Sequence, residues 1–587
     1  MLVKDDSSMI DYISYPNPSF VRKNTQVLDG QWNVDIISTD GVRTQGQINV
    51  PFCPESKLSG LSYEKRIETC TYSRQFYVDT EQLKGHKLLL RFGAVDYETR
   101  VFVNSRCVGT HKGGFSPFCF DITQYLCNGE NYLFVEVSDQ TTNQQAHGKQ
   151  THKDYSFGCF YTRVTGVWQS VWLETVPENY IRSFRLYPDG EGCSVSIDLL
   201  TEGCNSCSIQ VFYGDKCVGS AEADVEYRKK LTIPLAEKHL WEVGCGRLYD
   251  VVITFGEDTV HSYFGLRDVG YCGYDFVING KPVFQKMVLD QGYNPDGVYT
   301  TPNVEFMQRD IQLGLDLGFN GVRLHEKVFD PKTLYLCDKA GYMVWAEFPS
   351  WGVDFSNMSH AGQFLTEWQE AMERDFNHPS IITWCPLNEV WGDWEDPRKY
   401  RDSDFVDAVY DFTKRYDPTR PCVDVSGGHH GTKTDLYDFH TYEDIESLKK
   451  MLEDLQQKDI LEVPLLYCPY DALRYQKGLP VSVSEFGGIA FGADYREDQI
   501  STICVNPVDQ KENWGYGQCE KSDEALVERY RELVETIASY DKVSGFCYTQ
   551  LYDVEQETNG FYTYDRRDKL SPESKLAIRA INDAVKR

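Results

Sequence analysis

The 587-residue sequence contains no apolar run that approaches the roughly 20 residues needed to cross a bilayer. Its start also lacks the basic residues followed by an apolar stretch that make up a signal peptide. Low-complexity tracts and long repeats are missing as well. We therefore expect a folded protein of the cytoplasm that has no membrane partner.

Positive charge is scarce, because 59 lysines and arginines stand against 89 aspartates and glutamates, a formal net charge of −30 at pH 7. Such a surface repels phosphate backbones and anionic lipids, so we expect no nucleic-acid partner. The 19 cysteines are an odd number at irregular spacing, which is typical of reduced thiols. Cys204 and Cys207 have CxxC spacing, but no second ligand pair lies nearby.

Several catalytic motifs are absent. His325-Glu326 is followed by Lys-Val-Phe, so no HExxH zinc motif is formed. The sequence has no GxSxG elbow of a serine hydrolase and no GxxxxGK[ST] or GxGxxG loop for nucleotides. His429 and His430 are adjacent, so their side chains point in different directions and make a poor ligand pair. These absences predict a protein without a metal and without a cofactor.

What the sequence does contain is two kinds of periodicity. Residues 1–176 alternate β-branched and aromatic segments with turn residues, which predicts a jelly-roll-like sugar-binding β-sandwich. Residues 177–269 repeat this pattern with shorter segments and predict an immunoglobulin-like β-sandwich. Residues 270–587 alternate strand and helix patterns and predict a C-terminal catalytic (β/α)8 TIM barrel. We therefore expect a multidomain β and α/β protein.

Eight strands are expected in the barrel, at 283–289, 321–324, 342–347, 381–385, 422–425, 436–440, 481–484 and 545–548. Pro302 and Gly318 are placed to start and end one helix, and Asp330-Pro331 and Gly341 bound the next. Barrel enzymes carry their catalytic groups at the C-terminal strand ends. The residues that follow each strand are therefore the candidate site.

Two strand ends carry a glutamate that can do acid–base or nucleophilic chemistry. Glu389 follows the fourth strand and Glu485 the seventh, and these ends face each other across an eight-stranded barrel. Asn388 can donate an amide hydrogen bond to a sugar hydroxyl beside Glu389, whereas Glu347 is set aside as a salt-bridge partner. The other polar and aromatic candidates at the strand ends are Asp290, His325, Trp391, His440, Tyr442, Trp514 and Gln550.

These motifs resemble glycoside hydrolase family 2, the group of β-galactosidases, β-glucuronidases and β-mannosidases. Residues 377–384 with Leu387-Asn388-Glu389 resemble the acid/base signature of the family, and residues 484–488 resemble its nucleophile strand. Residues 165–174 resemble the end of its sugar-binding sandwich, and residues 15–22 with 28–32 resemble its opening. The resemblance covers the whole length of the chain.

The resemblance implies a retaining exo-β-glycosidase that works by double displacement. Glu485 attacks the anomeric carbon while Glu389 protonates the departing oxygen and afterwards activates water. The acid/base must then hold its proton near neutrality, whereas the nucleophile must be ionised. By matching position, His325 and Tyr442 are expected to touch the sugar and the nucleophile, and Asp290 to meet a hydroxyl.

The substrate is expected to be a small-molecule glycoside or an oligosaccharide, with a β-galactosidase as the leading hypothesis. β-Glucosidase, β-glucuronidase and arabinosidase stay open, as do a transglycosylase and a non-catalytic carbohydrate-binding protein. Residues 290–297 lack the Asn-Arg-His-Glu pattern of well-known members, so galactose recognition and metal use do not carry over by motif. Homo-oligomer formation is also possible.

Two further features concern the shape and charge of the pocket. Glu557-Thr558-Asn559 stands where β-glucuronidases have Asn-x-Lys, and a glutamate there would repel a uronate, although Arg566 and Arg567 lie nearby. The long segment from Ala490 to Ser522 can wall one side of the barrel mouth. The sequence therefore predicts an exo-acting pocket rather than an open cleft.

Overall fold

The computed structural model describes residues 10–391, 401–457, 478–492, 513–517 and 519–586. Most of the predicted wall segment, namely residues 493–512 and 518, lies outside the described residues. Within the described ranges, no helix is both long enough and apolar enough to cross a membrane.

The first unit is a β-sandwich. Its strands are β1 (Thr25–Val27), β2 (Gly30–Ser38), β3 (Arg43–Val50), β4 (Ile67–Val78), β5 (His86–Phe92), β6 (Val95–Asp96), β7 (Glu98–Val103), β8 (Arg106–Lys112), β9 (Phe118–Asp121), β10 (Gly129–Ser138), β11 (Gly166–Val167) and β12 (Val171–Pro177). Short 3-10 helices occupy Tyr12–Ser14 and Thr123–Tyr125. The main sheets have the orders β1-β12-β5-β9 and β3-β2-β4-β10-β7-β8. Leu133, Val135 and Val137 alternate along β10 and are buried between the sheets.

The second unit is built from long antiparallel strands. They are β13 (Tyr180–Asp189), β14 (Ser194–Tyr213), β15 (Lys216–Pro234), β16 (Tyr249–Phe255) and β17 (Asp258–Phe264). A register shift between Leu200 and Cys204 bends β14 against β15, so that both halves of these strands cover one apolar core. The immunoglobulin-like topology stays a prediction. A small sheet of β18 (Val269–Cys272), β19 (Asp275–Ile278) and β20 (Lys281–Pro282) leads into the barrel.

The third unit alternates parallel strands and helices. Its strands are β21 (Gln285–Asp290), β22 (Gly321–Leu324), β23 (Met343–Glu347), β24 (Ile381–Cys385), β25 (Tyr437–Thr441), β26 (Val481–Gly487) and β27 (Val543–Thr549). Its helices are α1 (Val304–Asp316), α2 (Pro331–Ala340), α3 (Ala361–Asp375), α4 (Ser403–Tyr416), α5 (Ile445–Gln457), α6 (Asp523–Ala538) and α7 (Pro572–Ala584), with a 3-10 helix at Met358–His360. The sheet order is β24-β23-β22-β21-β27-β26-β25, so the expected multidomain β and α/β fold with a TIM barrel is confirmed.

One expected barrel strand is wrong as a strand. Residues 422–425 lie beside β24 but form only isolated parallel bridges, between Trp384 and Cys422 and between Asn388 and Ser426. The physical reason is Asp424, whose buried carboxylate accepts a hydrogen bond from the Gly431 N–H and draws the segment into a turn. The segment still occupies the position between β24 and β25.

The helix boundaries follow local chemistry. Asn303 caps α1 and accepts from the Phe306 N–H, one residue later than the proline that was expected to start this helix. Asp330 caps α2, which begins at Pro331 and ends before Gly341 in the left-handed conformation at φ 67°, as expected. These caps fix the strand-end loops that follow.

The sandwich and the barrel share one apolar core. Ala94, Phe115, Ala146, Tyr161 and Trp168 of the sandwich belong to the same buried cluster as the barrel residues. Because this contact lies at the mouth side of the barrel, loops of the sandwich can reach the candidate site. We propose the division into 1–176, 177–269 and 270–587 as domains; the second boundary falls within β18.

Candidate active site

The two glutamates face each other at the mouth of the barrel. Glu485 lies in β26, and Glu389 follows β24 with a φ angle of 49°. This left-handed conformation is held by a 2.8 Å hydrogen bond from the Glu389 N–H to the carbonyl oxygen of Ser426. A carboxylate oxygen of each glutamate and a ring nitrogen of His440 lie within 4.8 Å of one another. The structure therefore brings these three predicted residues together.

The buried carboxylate of Glu485 accepts two hydrogen bonds from charged or polar donors. Arg323 Nη1 donates to Oε1 at 3.2 Å, and the Tyr442 hydroxyl donates to Oε2 at 2.5 Å. Arg323 projects from β22 and is itself fixed by Glu347, which accepts from Nε at 2.6 Å. Both hydrogen bonds hold the Glu485 carboxylate in one orientation.

Glu347 also holds His325. Nδ1 of His325 lies 2.9 Å from Glu347 Oε2 and 3.9 Å from Glu485 Oε1. Burial opposes ionisation of Glu347, but the charges of Arg323 and His325 lower its pKa to about 2. Glu347 is thus an ion-pair partner, as the sequence suggested, and it orients two side chains that contact Glu485.

His440 joins the two catalytic candidates. Its Nδ1 lies 2.9 Å from Glu389 Oε1, and its Nε2 lies 3.1 Å from the Ser426 hydroxyl. Burial raises the pKa of Glu389, yet the hydrogen bond and charge of His440, with the charges of Lys149 and His325, lower it to about 2. This environment favours the carboxylate form, which differs from the protonated general acid expected at neutral pH.

Asn388 presents a free amide donor next to Glu389. Its Nδ2 is buried and has no hydrogen-bond partner within the described part of the chain. The backbone is fixed on both sides, because the N–H donates to Ser350 Oγ at 3.0 Å and the carbonyl accepts from Trp351 Nε1 at 3.1 Å. Glu326 holds Ser350 and the Trp351 backbone in turn. Buried donors normally have partners, so this one fits a contact with a sugar hydroxyl.

An aromatic stack borders Glu485. The rings of Tyr442 and Tyr516 lie face to face with centroids 3.6 Å apart, and Trp514 packs edge-on against Tyr516 at 5.0 Å. The Trp514 indole donates to the carbonyl oxygen of Gly158, a sandwich residue, at 2.8 Å. Trp514 is buried and supports Tyr516 on this wall of the pocket, and its expected contact with a sugar stays a prediction.

Trp391 follows Glu389 by two residues and contacts one of the two adjacent histidines. Trp391 is half-buried, and its ring meets His429 edge-on with centroids 5.3 Å apart. His430 turns away and contacts Asp424, with Nδ1 2.7 Å from Oδ1. Burial opposes protonation of His430, but the charge of Asp424 raises its pKa to about 9. The two adjacent histidines therefore contact different partners, His429 the Trp391 ring and His430 the Asp424 carboxylate.

Asp290 forms its hydrogen bonds with groups other than the two glutamates. Its carboxylate accepts from the Gly292 N–H at 2.7 Å and from the Tyr552 hydroxyl. It also lines a cavity of about 20 Å³ together with Asp310 and Cys337, between the barrel and its helices. The expected contact of Asp290 with a sugar hydroxyl therefore has no geometric support, because a local backbone N–H captures the carboxylate.

Gln550 belongs to a closed ring of hydrogen bonds. Its Oε1 accepts from Gln291 Nε2 at 2.8 Å, and its Nε2 donates to Asn559 Oδ1 at 2.9 Å. Asn559 donates to Glu557, which accepts from the Tyr161 hydroxyl of the sandwich, and Gln291 donates to Tyr161 as well. Gln550 thus links the sandwich to the barrel near the mouth.

Two functional residues were missed by sequence reasoning. Arg323 carried a signal, namely a charged residue at the centre of a short buried strand. Lys149 carried none, because it lies in a sandwich loop far from the barrel in sequence. The charge of Arg323 lowers the pKa of Glu347, and the charge of Lys149 lowers the pKa of Glu389.

A metal ion could also be held by the same three groups. Glu389, His440 and Glu485 each offer one ligand atom, and these atoms lie within 4.8 Å of one another. Two carboxylates and an imidazole suit several divalent ions. No metal is expected from the sequence, and the activity after chelation tests this expectation.

Two family models match the chain. They are described as the sugar binding domain of glycosyl hydrolases family 2, over residues 26–177, and the TIM barrel domain of the same family, over residues 273–479. A putative β-glucuronidase of Formosa agariphila is 25% identical over 62% of this chain and 44% of that protein. A β-galactosidase of Aeromonas hydrophila is 26% identical over 63% of this chain and 37% of that protein. The chain thus matches less than half the length of either relative.

The fold of solved family members agrees with these matches. A β-glucuronidase of Bifidobacterium dentium, complexed with coumarin-3-O-glucuronide, is similar with a TM-score of 0.76 over 97% of this chain and 98% of that chain. The sequence identity is 21%, so this likeness concerns the fold alone. With both family domains matched in order along the chain, this protein belongs to glycoside hydrolase family 2.

Proposed function

We propose that the chain is a retaining exo-β-glycosidase in which Glu485 is the nucleophile and Glu389 the acid/base. The observation that carries this proposal is the 4.8 Å limit on the distance between their carboxylate oxygens. Retaining enzymes place these carboxyl groups about 5–5.5 Å apart, whereas inverting enzymes leave about 6.5–9.5 Å for a water molecule. The spacing supports direct attack by one glutamate.

The hydrogen bonds support this division of roles. Glu485 accepts from Arg323 and Tyr442, and these two donors keep its carboxylate aimed at one position, as a nucleophile requires. Among the barrel residues that the structure describes, no such pair of donors contacts Glu389, whose carboxylate meets His440 instead. When a sugar covers Glu389, water is excluded and its pKa rises, which is the change that a general acid needs.

The leading substrate is a terminal β-galactoside, and glucosides, glucuronides and arabinosides remain the alternatives. Arg566 donates to Asp310 at 3.0 Å and to the carbonyl oxygen of Tyr293, and Arg567 pairs with Asp565. Arg566 is thus buried in an ion pair with Asp310, and Arg567 lies in an exposed ion pair with Asp565. The Aeromonas relative is named a β-galactosidase and the Formosa relative a putative β-glucuronidase, so the names alone do not decide.

The stack of Tyr442 and Tyr516 with Trp514 behind it supports an exo-acting pocket, because it borders the nucleophile on one side. We also propose a cytoplasmic location and a homo-oligomer. A purely carbohydrate-binding role would leave the ion-paired glutamate pair unexplained.

A panel of p-nitrophenyl β-glycosides of galactose, glucose, glucuronate, mannose and arabinose tests the substrate. Proton NMR of the first product tests the mechanism, since retention gives the β-anomer before mutarotation. We expect β-galactose release by the wild type and none by Glu485→Ala. An α-anomer as first product would reject retention, and release of internal fragments from a polysaccharide would reject the exo mode.

A further inference from the structure

The carboxylate of Asp438 joins the two segments that position the glutamate pair. Asp438 lies in β25 and is fully buried. Its Oδ2 accepts from the Ser426 hydroxyl at 2.7 Å and from the Ser484 hydroxyl. Ser426 supplies the carbonyl oxygen that accepts from the Glu389 N–H, and Ser484 directly precedes Glu485. One oxygen atom therefore links the support of the proposed acid/base to that of the proposed nucleophile.

A histidine holds Asp438 from behind. Nε2 of His430 lies 2.9 Å from the carbonyl oxygen of Asp438, and its Nδ1 lies 2.7 Å from Asp424 Oδ1. Both partners are acceptors, so both ring nitrogens donate and the ring is an imidazolium. Its Nε2 also lies 3.4 Å from Asp438 Oδ1, which leaves Oδ2 to the two serine hydroxyls.

The hydroxyl of Ser426 fixes the direction of the next hydrogen bond. It has one proton, which goes to Asp438 Oδ2 at 2.7 Å, whereas the Ser484 hydroxyl oxygen is farther away at 3.4 Å. The Ser426 oxygen lies 3.1 Å from His440 Nε2 and can only accept there. Nε2 of His440 must therefore carry a proton, because the contact of one ring nitrogen sets the protonation of the imidazole.

Two other groups near His440 Nε2 agree with this assignment. Oε1 of Glu485 lies 3.4 Å away and accepts. Nη1 of Arg323 lies 3.5 Å away, but it donates at shorter distances to the carbonyl oxygen of Ser484 (2.6 Å) and to Glu485 Oε1 (3.2 Å). An Nη atom has only two hydrogens, so both are used without His440 as an acceptor.

The other ring nitrogen of His440 then shares a single proton with Glu389. Nδ1 and Oε1 are 2.9 Å apart, so either the carboxyl group donates to the ring or the imidazolium donates to the carboxylate. A proton on Nδ1 can move to Oε1 along this hydrogen bond, which leaves a neutral ring and a neutral carboxyl group. Oε1 then gives the proton to the departing oxygen as the glycosidic bond breaks.

We propose that Asp438 is a positioning residue for the acid/base, because through Ser426 it keeps the proton of His440 on Nε2 and directs Nδ1 to Glu389. The inference rests on the proposed function. Without the serine, the nearest acceptor for the Nε2 proton is Glu485, and a ring that turns toward it leaves Glu389. The buried pair of Asp438 and Ser426 thus commits His440 to the acid/base and away from the nucleophile.

A series of leaving groups tests this role on aryl β-glycosides of the sugar that the wild type cleaves. Ser426→Ala should lower kcat/KM for the phenyl glycoside about tenfold or more. The 2,4-dinitrophenyl glycoside should lose less than about threefold, because its leaving group departs without a proton. Ser426→Thr keeps the hydroxyl and should restore the rate with the phenyl glycoside. Equal losses for both substrates, or no loss, would overturn the inference.

Asp438→Ala should show the same selective loss. Its folding is checked by thermal unfolding, and should it not fold, Ser426→Ala decides. Ser482→Ala is the matched control, because this buried hydroxyl of β26 donates to the carbonyl oxygen of Gly545, at 3.3 Å. It should leave kcat/KM for both glycosides unchanged.

Nitrogen-15 NMR of histidine-labelled enzyme reads the protonation of His440 without turnover. His440→Gln identifies its two signals, and we expect a proton on Nε2 in the wild type. An Nε2 that carries no proton would overturn the inference while leaving the proposed function intact. A wild type that cleaves no β-glycoside would reject the proposed function and this inference with it.

Discussion

The imidazole of His440 contacts the carboxylate of Glu389, with Nδ1 2.9 Å from Oε1. The other ring nitrogen, Nε2, lies 3.4 Å from Oε1 of Glu485. One side chain thus stands between the proposed acid/base and the proposed nucleophile. The protonation of Glu389 therefore depends on His440, and this dependence can be measured.

His440→Gln should move the basic limb of the kcat/KM profile to higher pH. His440 from β25, Lys149 from the sandwich loop and His325 after β22 all lower the pKa of Glu389, and His440 makes the largest contribution among them. Without it the pKa rises, so the protonated acid persists to higher pH, by at least about one unit. His261→Gln, in β17, is the control. A limb that stays or moves down would contradict the prediction.

Glu389→Ala should lose only the steps that need a proton donor or base. An activated aryl glycoside still glycosylates Glu485 and then stalls, because no base remains to activate water. Added azide should bypass that base and yield the β-glycosyl azide. Recovery of the α-azide from this variant would reverse the two roles.

Glu485→Ala should fail with every substrate, because no covalent intermediate can form. We expect kcat to fall at least about 10³-fold, which corresponds to about 4 kcal/mol of barrier. Azide should now attack the open face directly and yield the α-glycosyl azide. Glu178→Ala, at an exposed position between β12 and β13, controls for the preparation. Full activity of Glu485→Ala would contradict the proposed mechanism.

Tyr442→Phe removes the 2.5 Å hydrogen bond to Glu485 but keeps the ring that stacks on Tyr516. A hydrogen bond to a charged group is worth about 1.5–3 kcal/mol, so kcat/KM should fall about 10- to 100-fold with little change in stability. Tyr410→Phe deletes a comparable hydroxyl, which donates to Asp435 at 3.0 Å beside α4, and should leave the kinetics unchanged. Equal effects in both variants would argue against a role for Tyr442.

Trp514→Ala should weaken both stability and substrate binding. Loss of a buried tryptophan costs about 3–5 kcal/mol of unfolding free energy, and KM should rise because Tyr516 loses its support. Trp241→Ala, at a buried site between the second unit and α2, should lower stability without raising KM. Denaturant titration and initial rates measure the two effects. Unchanged kinetics in folded Trp514→Ala would mean that this wall does not shape the pocket.

Chelation should leave the activity unchanged. Glycosyl transfer between two carboxylates needs no Lewis acid, although Glu389, His440 and Glu485 could hold an ion. Rates are compared before and after dialysis against a chelator and after return of single divalent ions. Activity that vanishes and returns with one ion would contradict the prediction and assign these groups to a metal.

Much of the fold follows from local sequence patterns, because period and caps depend on neighbouring residues. The α2 boundaries at Pro331 and Gly341 are an example. The segment 422–425 shows the limit, since its apolar pattern predicts a strand but the buried Asp424 satisfies its carboxylate with the turn that follows. A hydrogen bond of this kind does not change the spacing of apolar residues, so the sequence pattern does not reveal it.

The residues of the candidate site could be predicted from the sequence where the barrel fold alone brings their strand ends together. Glu389, His440, Tyr442 and Glu485 meet because they follow neighbouring or facing strands. The carboxylate of Asp290 binds the Gly292 N–H instead of pointing to the glutamates. Lys149 lies near the site because the sandwich packs against the barrel. Neither position can be predicted from the spacing of residues along the chain, because both depend on tertiary contacts.

The packing of the sandwich against the barrel, in which the Gly148 N–H donates to the carbonyl oxygen of Trp351 at 3.1 Å, also bears on the order in which the enzyme is made. A ribosome adds about 5–20 residues per second, and early units fold as they emerge. Gly148 and the adjacent Lys149 are therefore synthesised well before Trp351 exists to receive them. Until the last barrel strands leave the ribosome, this loop must remain hydrated. The pocket consequently closes as a late event of biogenesis, and a prematurely released chain carries a finished sandwich but no hydrolytic activity.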